Sequence, residues 1–508
     1  MKITNETIAA AYELLQKYKA GKTDLESQMI ENEQWWKLRH TDPTETKASG
    51  WLFNCIINKH ADAMDSLPEC TVLPREERDT DSAAILNKVL PALLERCKFE
   101  SVYSDCWYDK LKSGTACYGV FWNPSLDSGL GNVDIHRIDL LNLFWEPGIS
   151  SLQMSENIFH VELYDNSYLK EKYPVLEEHL TSPVFETSRY IYNDCVDTSD
   201  KTSVIDWYYK KKIGTKTVLH YAKFALGQLL YASENDPRYA ERGYYDHGRY
   251  PFIFDTFYPI KGSPCGFGII DAMKSTQSSI DALDTSIVKN ARMASERRFF
   301  IRGDGAINER EFADWKNPFV HYNGSGDPSS SIMPIEMPYL SATYFNILQG
   351  KIDELKETSG NRDFSQGITS GGVTAASAIA ALQEAGSKTT RDMLSASYRA
   401  FEEICSLIIE IIRQFYTIPR CFRISGDGSE LDFSLFSSDM IEAPVYDIRV
   451  CAHKKSPFSR AGLNELALQL YNMGLFSPEK KREAEICISM MDFDGKESIL
   501  HRIGEASV

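Results

Sequence analysis

The sequence lacks long apolar runs, and its cysteines follow no metal-binding or disulfide pattern. The best apolar stretch, "ICSLIIEII" at residues 404–412, is interrupted by Glu410 and falls short of the roughly 18 apolar residues that a membrane span requires. The 11 cysteines include no CxxC pair, which argues against a zinc site or a dense disulfide framework. The N-terminal segment has no signal-peptide core. We therefore expect no membrane association, no bound metal and folding in a reducing cytoplasm.

The sequence also lacks an excess of basic residues, because its formal net charge is −17. A protein that grips nucleic acid by neutralising phosphates is normally basic. An acidic chain is either indifferent to DNA or handles DNA without holding it. The length of 508 residues and the 43% hydrophobic content indicate a folded chain with several domains or one multi-lobed unit.

Motifs for phosphate, dinucleotide or acyl chemistry are missing as well. "AGKT" at residues 20–23 ends like a P-loop, but Gln16 stands where the motif needs glycine, and we expect the stretch to lie inside a helix. "GFGIID" has Asp271 in place of a third glycine, which predicts a helix start. The chain contains no GxSxG or HExxH motif. The sequence predicts no enzyme and no cofactor. Carboxylate metal sites need no motif, so a soluble metal-dependent nuclease or phosphotransferase remains the alternative.

The periodicity of apolar residues predicts a helix-rich α+β fold. Residues 1–120 repeat apolar side chains at helical spacing, whereas residues 117–260 carry aromatic and β-branched runs separated by turn residues. A β-hairpin is expected to turn at Gly214. Longer helices with small strand modules between them follow.

One of these helices is predicted from Gly266 to about Ala294, where no proline interrupts the pattern; it would be about 40 Å long. Its apolar stripe consists of Ile269, Met273, Ile280, Leu283, Ile287 and Ala291. Its opposite, polar face consists of Asp271, Lys274, Ser278, Asp281, Lys289 and Arg292. We expect the stripe to pack against a second helix, around Ile347, Leu348, Ile352 and Leu355, and against neighbouring copies of the chain.

The order of these segments resembles that of the portal proteins of tailed double-stranded DNA bacteriophages. "HGRYPFIFDTFYPIKGSPCGFGIIDAMKSTQSSIDALDTSIVKNA" is similar to the family's passage from the wing into the first stem helix. "ITSGGVTAASAIAAL" resembles the passage from the tunnel loop into the long wing helix, and "YNMGLFSPEKKREAEICISMMDFDGKESIL" resembles a C-terminal crown segment. The resemblance covers most of the chain, from about residue 30 to residue 505.

The resemblance implies a portal architecture of wing, stem, clip and crown, with long stem and wing helices and small β modules. The implied divisions are an N-terminal wing region at 1–261, the first stem helix at 262–295, the clip at 296–343, the second stem helix at 344–362, the tunnel loop at 363–373, the long wing helix at 374–418, wing strands at 419–453 and a helical crown at 454–508.

The resemblance also implies a function. Portal proteins form a homo-oligomeric ring, normally a dodecamer, at one capsid vertex of the virion, and they assemble in the host bacterial cytoplasm. The ring is the channel for packaging, retention and ejection of double-stranded DNA. The implied partners are the terminase large subunit, head-completion or adaptor proteins, and the major capsid and scaffold proteins. A different ring adaptor, such as a connector, is a further alternative, although 508 residues is long for one.

The resemblance suggests three groups of functional residues. Lys274, Lys289 and Arg292 would face the DNA channel, or would be solvated charges on an amphipathic helix. Trp315, Phe319 and Tyr322 would anchor clip partners, or would form the clip's own small core. The paired Trp35 and Trp36 are interpreted as core residues, with a capsid or scaffold contact as the alternative. The tunnel-loop residues would be Asp363, Ser365, Gln366, Gly367, Thr369, Ser370, Gly371 and Gly372. The alternative is that this stretch is an ordinary connection between two helices.

Overall fold

The computed structural model describes most of the chain, in two compact units. The described residues are 2–42, 46–180, 187, 200–296, 298–303, 305–335, 341–360, 388–424, 432–436, 446–454, 469, 472–474 and 488. The predicted tunnel loop at 363–373 and most of the predicted crown lie outside the described residues. Unit 1 comprises residues 1–33, 56–271 and 372–508, and unit 2 comprises residues 34–55 and 272–371.

The described residues form a mixed helical and strand structure, as the periodicity predicts. The helices are α1 (Asn5–Ala20), α2 (Thr23–Trp36), α3 (Trp51–Met64), α4 (Thr80–Arg96), α5 (Phe99–Ser113), α6 (Asn166–Lys172), α7 (Ile269–Ser295), α8 (Glu309–Ala313), α9 (Ala342–Ser359) and α10 (Lys388–Phe415). The strands are β1 (Ser66–Leu73), β2 (Thr115–Asn123), β3 (Asn132–Arg137), β4 (Leu143–Trp145), β5 (Asn157–Asp165), β6 (Lys201–Ile213), β7 (Lys216–Ala225), β8 (Gln228–Ala232), β9 (Phe252–Thr256), β10 (Tyr258–Pro259), β11 (Gly266–Phe267), β12 (Arg298–Ile301), β13 (Ile332–Ile335), β14 (Arg420–Ile424), β15 (Asp432–Phe436) and β16 (Asp447–Lys454).

The five-stranded antiparallel sheet of unit 1 has the order β4–β5–β6–β7–β8. β6 and β7 form the predicted hairpin, in which Ile213 pairs with Lys216. Gly214 turns the chain with a φ of 64°, a left-handed conformation that glycine adopts without a Cβ clash. Helix α1 covers this sheet, and the rings of Tyr18 and Phe159 lie 5.9 Å apart, edge to face.

A buried lysine joins α5, β9 and α10 in unit 1. Nζ of Lys110 lies 2.6 Å from Oδ1 of Asp255 and donates a hydrogen bond to Oγ of Ser397 at 2.7 Å. The Lys110 and Asp255 side chains are 0% and 1% exposed. Burial lowers the pKa of Lys110, while the Asp255 carboxylate opposes that shift. Removing one partner of such a pair would leave the other charge buried without compensation.

Helix α7 begins within unit 1, at the predicted helix start. The Asp271 carboxylate accepts the Gly268 N–H at 3.1 Å and the Asn32 side-chain amide at 3.0 Å, which satisfies a donor that a helix N-terminus otherwise leaves unpaired. A Cβ at Gly268 would lie 2.6 Å from the Leu111 carbonyl oxygen, so the close approach requires glycine. Asp271 therefore caps the N-terminus of α7 and is half-buried there.

The expected polar face of α7 is wrong at Asp281, which is 0% exposed within unit 2. Its Oδ1 accepts the backbone N–H of Ser49 at 2.8 Å, the Ser49 hydroxyl at 2.6 Å and the Gln277 side-chain amide at 2.9 Å. Its Oδ2 lies 3.0 Å from Nε2 of His40. A buried carboxylate is tolerated when several hydrogen bonds replace its hydration. We call these four residues the Asp281 network.

The Asp281 network also supports the start of α3. Oε1 of Gln277 accepts the N–H of Leu52 at 2.9 Å, and Nε2 of Gln277 donates to the Ser49 carbonyl oxygen at 3.1 Å. The N–H of Leu52 belongs to the first turn of α3, where no intrahelical acceptor is present. The network therefore fixes the chain that leads into α3 onto the side of α7.

The tryptophan pair packs within unit 2, at the end of α2. The Trp35 ring stacks on His40 with centroids 3.7 Å apart, and the Trp36 ring lies 4.7 Å from that of Phe53. Both tryptophans are half-buried. Trp35 therefore covers the histidine that contacts Asp281, and both tryptophans pack against neighbouring rings without being fully buried.

We expect Asp281→Ala to lower the free energy of unfolding of unit 2 by about 2–4 kcal/mol. The substitution leaves the Ser49 N–H and the Gln277 amide without their buried acceptor. Amide hydrogen exchange in a peptide that spans residues 46–54 should accelerate by about tenfold or more, because each 1.4 kcal/mol of lost local stability gives about that factor. Mass spectrometry of the exchanged peptides measures the effect.

Asp284→Ala is the matched control for Asp281→Ala. Asp284 lies on the same helix, less than one turn further on, is half-buried and takes no part in the Asp281 network. Its replacement should leave exchange in residues 46–54 unchanged. Equal exchange rates in both variants would show that Asp281 does not hold this segment.

Candidate functional site

The apolar stripe of α7 is covered at its N-terminal end and uncovered at its C-terminal end. Ile269, Met273 and Ile280 are buried, whereas Leu283 and Ile287 are half-buried. Beyond them Ala291, Val288 and Met293 are exposed. A helix of 27 residues is about 40 Å long. In the described part of the chain, α7 is therefore covered only over the first part of its length.

The three predicted stem cations do not share one environment. Lys274 is half-buried, near the covered end of α7. Lys289 and Arg292 are exposed and lie three residues apart, on neighbouring positions of one helix face. In the described part of the chain neither forms an ion pair with a carboxylate. Lys289 and Arg292 therefore place two adjacent positive charges in solvent at the uncovered end of α7.

Burial also changes along α9, the second long helix of unit 2. It increases towards the C-terminal end of α9, whereas it decreases towards the C-terminal end of α7. Ile352 and Leu355 are buried as expected, and Leu348 is half-buried. Ile347 is 47% exposed in the single chain. Thr276 of α7 donates to Glu354 of α9 at 3.4 Å, which places the covered part of α9 beside the covered part of α7. Phe345, near the start of α9, is 53% exposed.

A small module connects the uncovered ends of α7 and α9. It contains the antiparallel ribbon β12–β13, the short helix α8 and an isolated bridge between Ile307 and Tyr322. The Glu311 carboxylate accepts the His321 backbone N–H at 2.8 Å and lies 2.7 Å from Nδ1 of the same residue. These bonds from His321 lower the pKa of Glu311. Local polar contacts therefore order much of this module.

The predicted clip residues occupy two kinds of position in the module. Trp315 is 93% exposed and Phe319 is 72% exposed, so neither forms a core of the single chain. Tyr322 is half-buried, at the bridge to Ile307. Further large apolar side chains of the module lie in solvent, namely Phe300, Val320 and Met333. Val288, Met293, Tyr344, Phe345 and Ile347, at the adjoining ends of α7 and α9, are exposed as well. We call all these exposed apolar side chains of residues 288–347, including Trp315 and Phe319, the unit 2 apolar surface. An accumulation of such side chains on one part of a soluble protein typically marks an interaction site.

The residues that resemble a P-loop serve a structural role in unit 1. Helix α1 ends at Ala20 and α2 begins at Thr23, so "AGKT" joins two helices. The expectation that this stretch lies inside one helix is wrong. Nζ of Lys22 donates to the carbonyl oxygens of Leu140 and Leu143, the latter at 2.9 Å, and lies 3.4 Å from Glu26. Burial lowers the pKa of Lys22. This ammonium is already enclosed by acceptors and does not face a phosphate.

A polar cavity of about 140 Å³ in unit 1 carries charges that pair with one another. Arg137 donates to Asp109 at 2.7 Å, and Lys112 donates to Glu33 at 2.8 Å. Burial raises the pKa of Asp109, and Arg137 opposes that shift. Within the described ranges, no three or more His, Cys, Asp and Glu side chains are arranged to hold a metal ion. The described helices also include none with the length and hydropathy to cross a bilayer.

Comparison with known proteins identifies the family. A family model described as phage P22-like portal protein matches residues 61–249 and 241–506. No curated protein matches the chain. The family match covers both stem-like helices, the module between them and most of unit 1. This chain therefore belongs to the phage P22-like portal protein family.

Proposed function

We propose that this protein forms a ring at one vertex of a phage capsid and that double-stranded DNA is packaged, retained and ejected through the channel of the ring. The family is structural and non-enzymatic. The observation in this chain that carries the proposal is the unit 2 apolar surface, which extends over the module and the adjoining ends of α7 and α9. A head-to-tail interface between copies closes into a ring when its rotation is closed. In such a ring each copy would cover the apolar surface of its neighbour.

The cationic end of α7 supports a channel-facing role in that ring. Lys289 and Arg292 are exposed on one face, while Val288 and Met293 nearby are exposed apolar residues. We propose that the apolar side chains contact neighbouring copies and that the two cations face the DNA. The chain carries a net charge of −17. Each phosphate contact strengthens DNA binding and raises the barrier to sliding. A few cations in a largely acidic channel would therefore centre the duplex and still let it move.

The module would be the clip. We propose that its ribbon pairs with ribbons of neighbouring copies and that its rim docks the terminase large subunit and later the head-completion proteins. Trp315 and Phe319 are suited to this because exposed aromatic side chains are typical anchors at protein interfaces. The tunnel loop, proposed at residues 363–373, would project towards the DNA, and its glycines would allow it to move.

Negative-stain electron microscopy with light scattering tests the ring directly. We expect rings with a central hole, and a mass near twelve times 57.6 kDa. Imaging at low and high protein concentration separates an unassembled portal from a monomeric protein. A uniform monomer or dimer at both concentrations would contradict the proposal. Divalent-metal binding and nuclease assays would then test the alternative.

We expect the double charge reversal Lys289→Glu with Arg292→Glu to slow DNA packaging about threefold or more at low salt. The reversed charges would repel phosphates at the channel wall. The difference from the wild type should shrink as salt increases, because exposed charges are screened. A packaging assay with purified terminase and proheads at several ionic strengths measures both effects.

The matched control is Lys212→Glu with Lys216→Glu. Both lysines are exposed at the β6–β7 hairpin, so the change in net charge is the same but its location is remote from α7 in sequence. This control should package at the wild-type rate. Equal packaging rates and equal salt dependence in both double variants would contradict a channel role for Lys289 and Arg292.

We expect Trp315→Ala to weaken terminase binding about 30-fold without preventing ring formation, since truncating an aromatic hot spot costs about 2 kcal/mol. Met154→Ala is the matched control, because Met154 is 65% exposed in unit 1. Surface plasmon resonance of preformed rings against the terminase large subunit gives the dissociation constants. Unchanged affinity in intact Trp315→Ala rings would exclude this residue as an anchor.

A further inference from the structure

An asparagine followed by glycine lies in the module of unit 2, directly after the bridge between Ile307 and Tyr322. Asn323–Gly324 is the one Asn-Gly pair in the sequence. The backbone N–H of Asn323 donates to the Ala306 carbonyl oxygen at 2.8 Å. Its side chain is exposed and forms no hydrogen bond with another described residue. The Asn323 amide is therefore open to solvent and is not held away from its own backbone.

The backbone nitrogen of Gly324 is equally unrestrained. Among the described residues, no acceptor takes the Gly324 N–H. A Cβ at this position would lie 2.2 Å from Oη of Tyr322, so the approach of the tyrosine ring requires a residue without a side chain. Glycine also leaves its backbone free to rotate. A reactive nitrogen without steric protection thus follows directly after the exposed amide.

From this arrangement we propose that Asn323 is a site of spontaneous deamidation, at which the Gly324 nitrogen converts the side-chain amide to aspartate or isoaspartate. Such a covalent change replaces a neutral group by a carboxylate. The inference depends neither on the family assignment nor on the proposed ring, because it rests on two neighbouring residues and their hydrogen bonds.

The reaction has two steps and consumes one water molecule. The Gly324 backbone nitrogen loses its proton and forms a bond to Cγ of Asn323, and the side-chain nitrogen takes up a proton and leaves as ammonia. A cyclic succinimide remains. Water then opens the ring. Its attack on Cγ gives aspartate, whereas its attack on the main-chain carbonyl carbon gives isoaspartate, in which the backbone runs through Cβ. No group is oxidised or reduced.

Two other asparagines of the same module lack this combination. The Asn308 side chain caps α8 by accepting the Glu311 N–H at 3.4 Å. The Asn317 side chain accepts the Phe319 N–H at 3.2 Å. Asn317 is also followed by Pro318, which has no backbone N–H to lose. Asn308 and Asn317 are therefore internal controls for the reaction at Asn323.

Isoaspartate would change the local geometry of the module. Asn323 ends a short antiparallel pairing, in which the Asn308 N–H also donates to the His321 carbonyl oxygen at 3.2 Å. Further along the chain, the Ser331 carbonyl oxygen accepts the Arg302 N–H at 2.9 Å. The link between these two anchored points would gain one main-chain atom and a carboxylate. The β12–β13 ribbon would therefore no longer be joined to the pairing in the same way.

Peptide mapping of the native full-length protein tests the inference. The protein is incubated in mildly alkaline water that carries a heavy oxygen isotope, and it is then digested in ordinary water at acidic pH. The heavy oxygen marks only those positions that deamidate during the incubation. We expect Asn323 to react at least about tenfold faster than Asn308 or Asn317, which corresponds to a difference in activation free energy of about 1.4 kcal/mol.

Two further measurements check the route. The rate at Asn323 should rise with pH, because the Gly324 nitrogen attacks after losing its proton, and part of the product should be a substrate for isoaspartyl methyltransferase. Asn323→Gln should take up no label in the same peptide, since the longer side chain closes a larger ring more slowly. Wild-type protein in which Asn323 keeps its amide, or reacts no faster than Asn308 and Asn317, would overturn the inference. A rate that does not rise with pH would also overturn it.

Discussion

The ion pair between Lys110 and Asp255 is the interaction on which the described core of unit 1 depends. Helix α5 supplies the ammonium, β9 supplies the carboxylate, and α10 supplies Ser397, which bonds to both. A buried pair of this kind is not a strong source of net stability, because the desolvation of both charges opposes their attraction. Its effect is selective, since any packing of the three elements that separates the charges leaves both without a counter-charge. The pair therefore specifies how the elements meet.

Unit 2 buries a polar network beside its apolar residues and leaves several large aromatic side chains exposed. Its interior contains the carboxylate of Asp281 and the amide of Gln277, whereas Trp315, Phe319 and Phe345 lie in solvent. The buried polar groups are satisfied by the chain that leads into α3, so this part of unit 2 is complete in a single copy. The exposed aromatic side chains have no such cover. Unit 2 thus has a fully hydrogen-bonded polar network near the start of α7 and exposed apolar side chains near its end.

Sequence patterns predicted the elements better than the contacts. The extent of α7 follows from a long run without proline and from an apolar stripe of helical period. The same period places Gln277 and Asp281 beside Met273 and Ile280, and this spacing was the available signal of their burial. The polar side chains of Gln277 and Asp281 suggested exposure to solvent instead. Their partners at residues 40 and 49 are more than two hundred positions away in the chain, and no local pattern reveals such a contact.

For the candidate site as well, the sequence predicted some side-chain environments and left others open. The exposure of Lys289 and Arg292 agrees with their positions on the polar face, whereas Lys274 lies too near the covered end of the helix to share their environment. Sequence alone left open whether the module's aromatic residues form a core, because small cores and interfaces use the same residue types. Only the fold distinguishes Trp315, in solvent, from Tyr322, at a bridge. The family match identifies the protein class but assigns none of these roles.

In the ring that we propose, the gradient of burial along α7 and α9 would make the stability of one part of this protein depend on its concentration. The end near Asp281 is secured by contacts within a single chain, whereas the end near Lys289 is exposed in the described structure and would gain apolar cover from a neighbouring copy in the proposed ring. Binding that favours the ordered form stabilises that form by mass action. A dilute, newly made chain would then have a loosely held end exposed to proteases. In an assembled chain this end would be covered and protected from proteases. Assembled copies would therefore be degraded more slowly than unassembled ones.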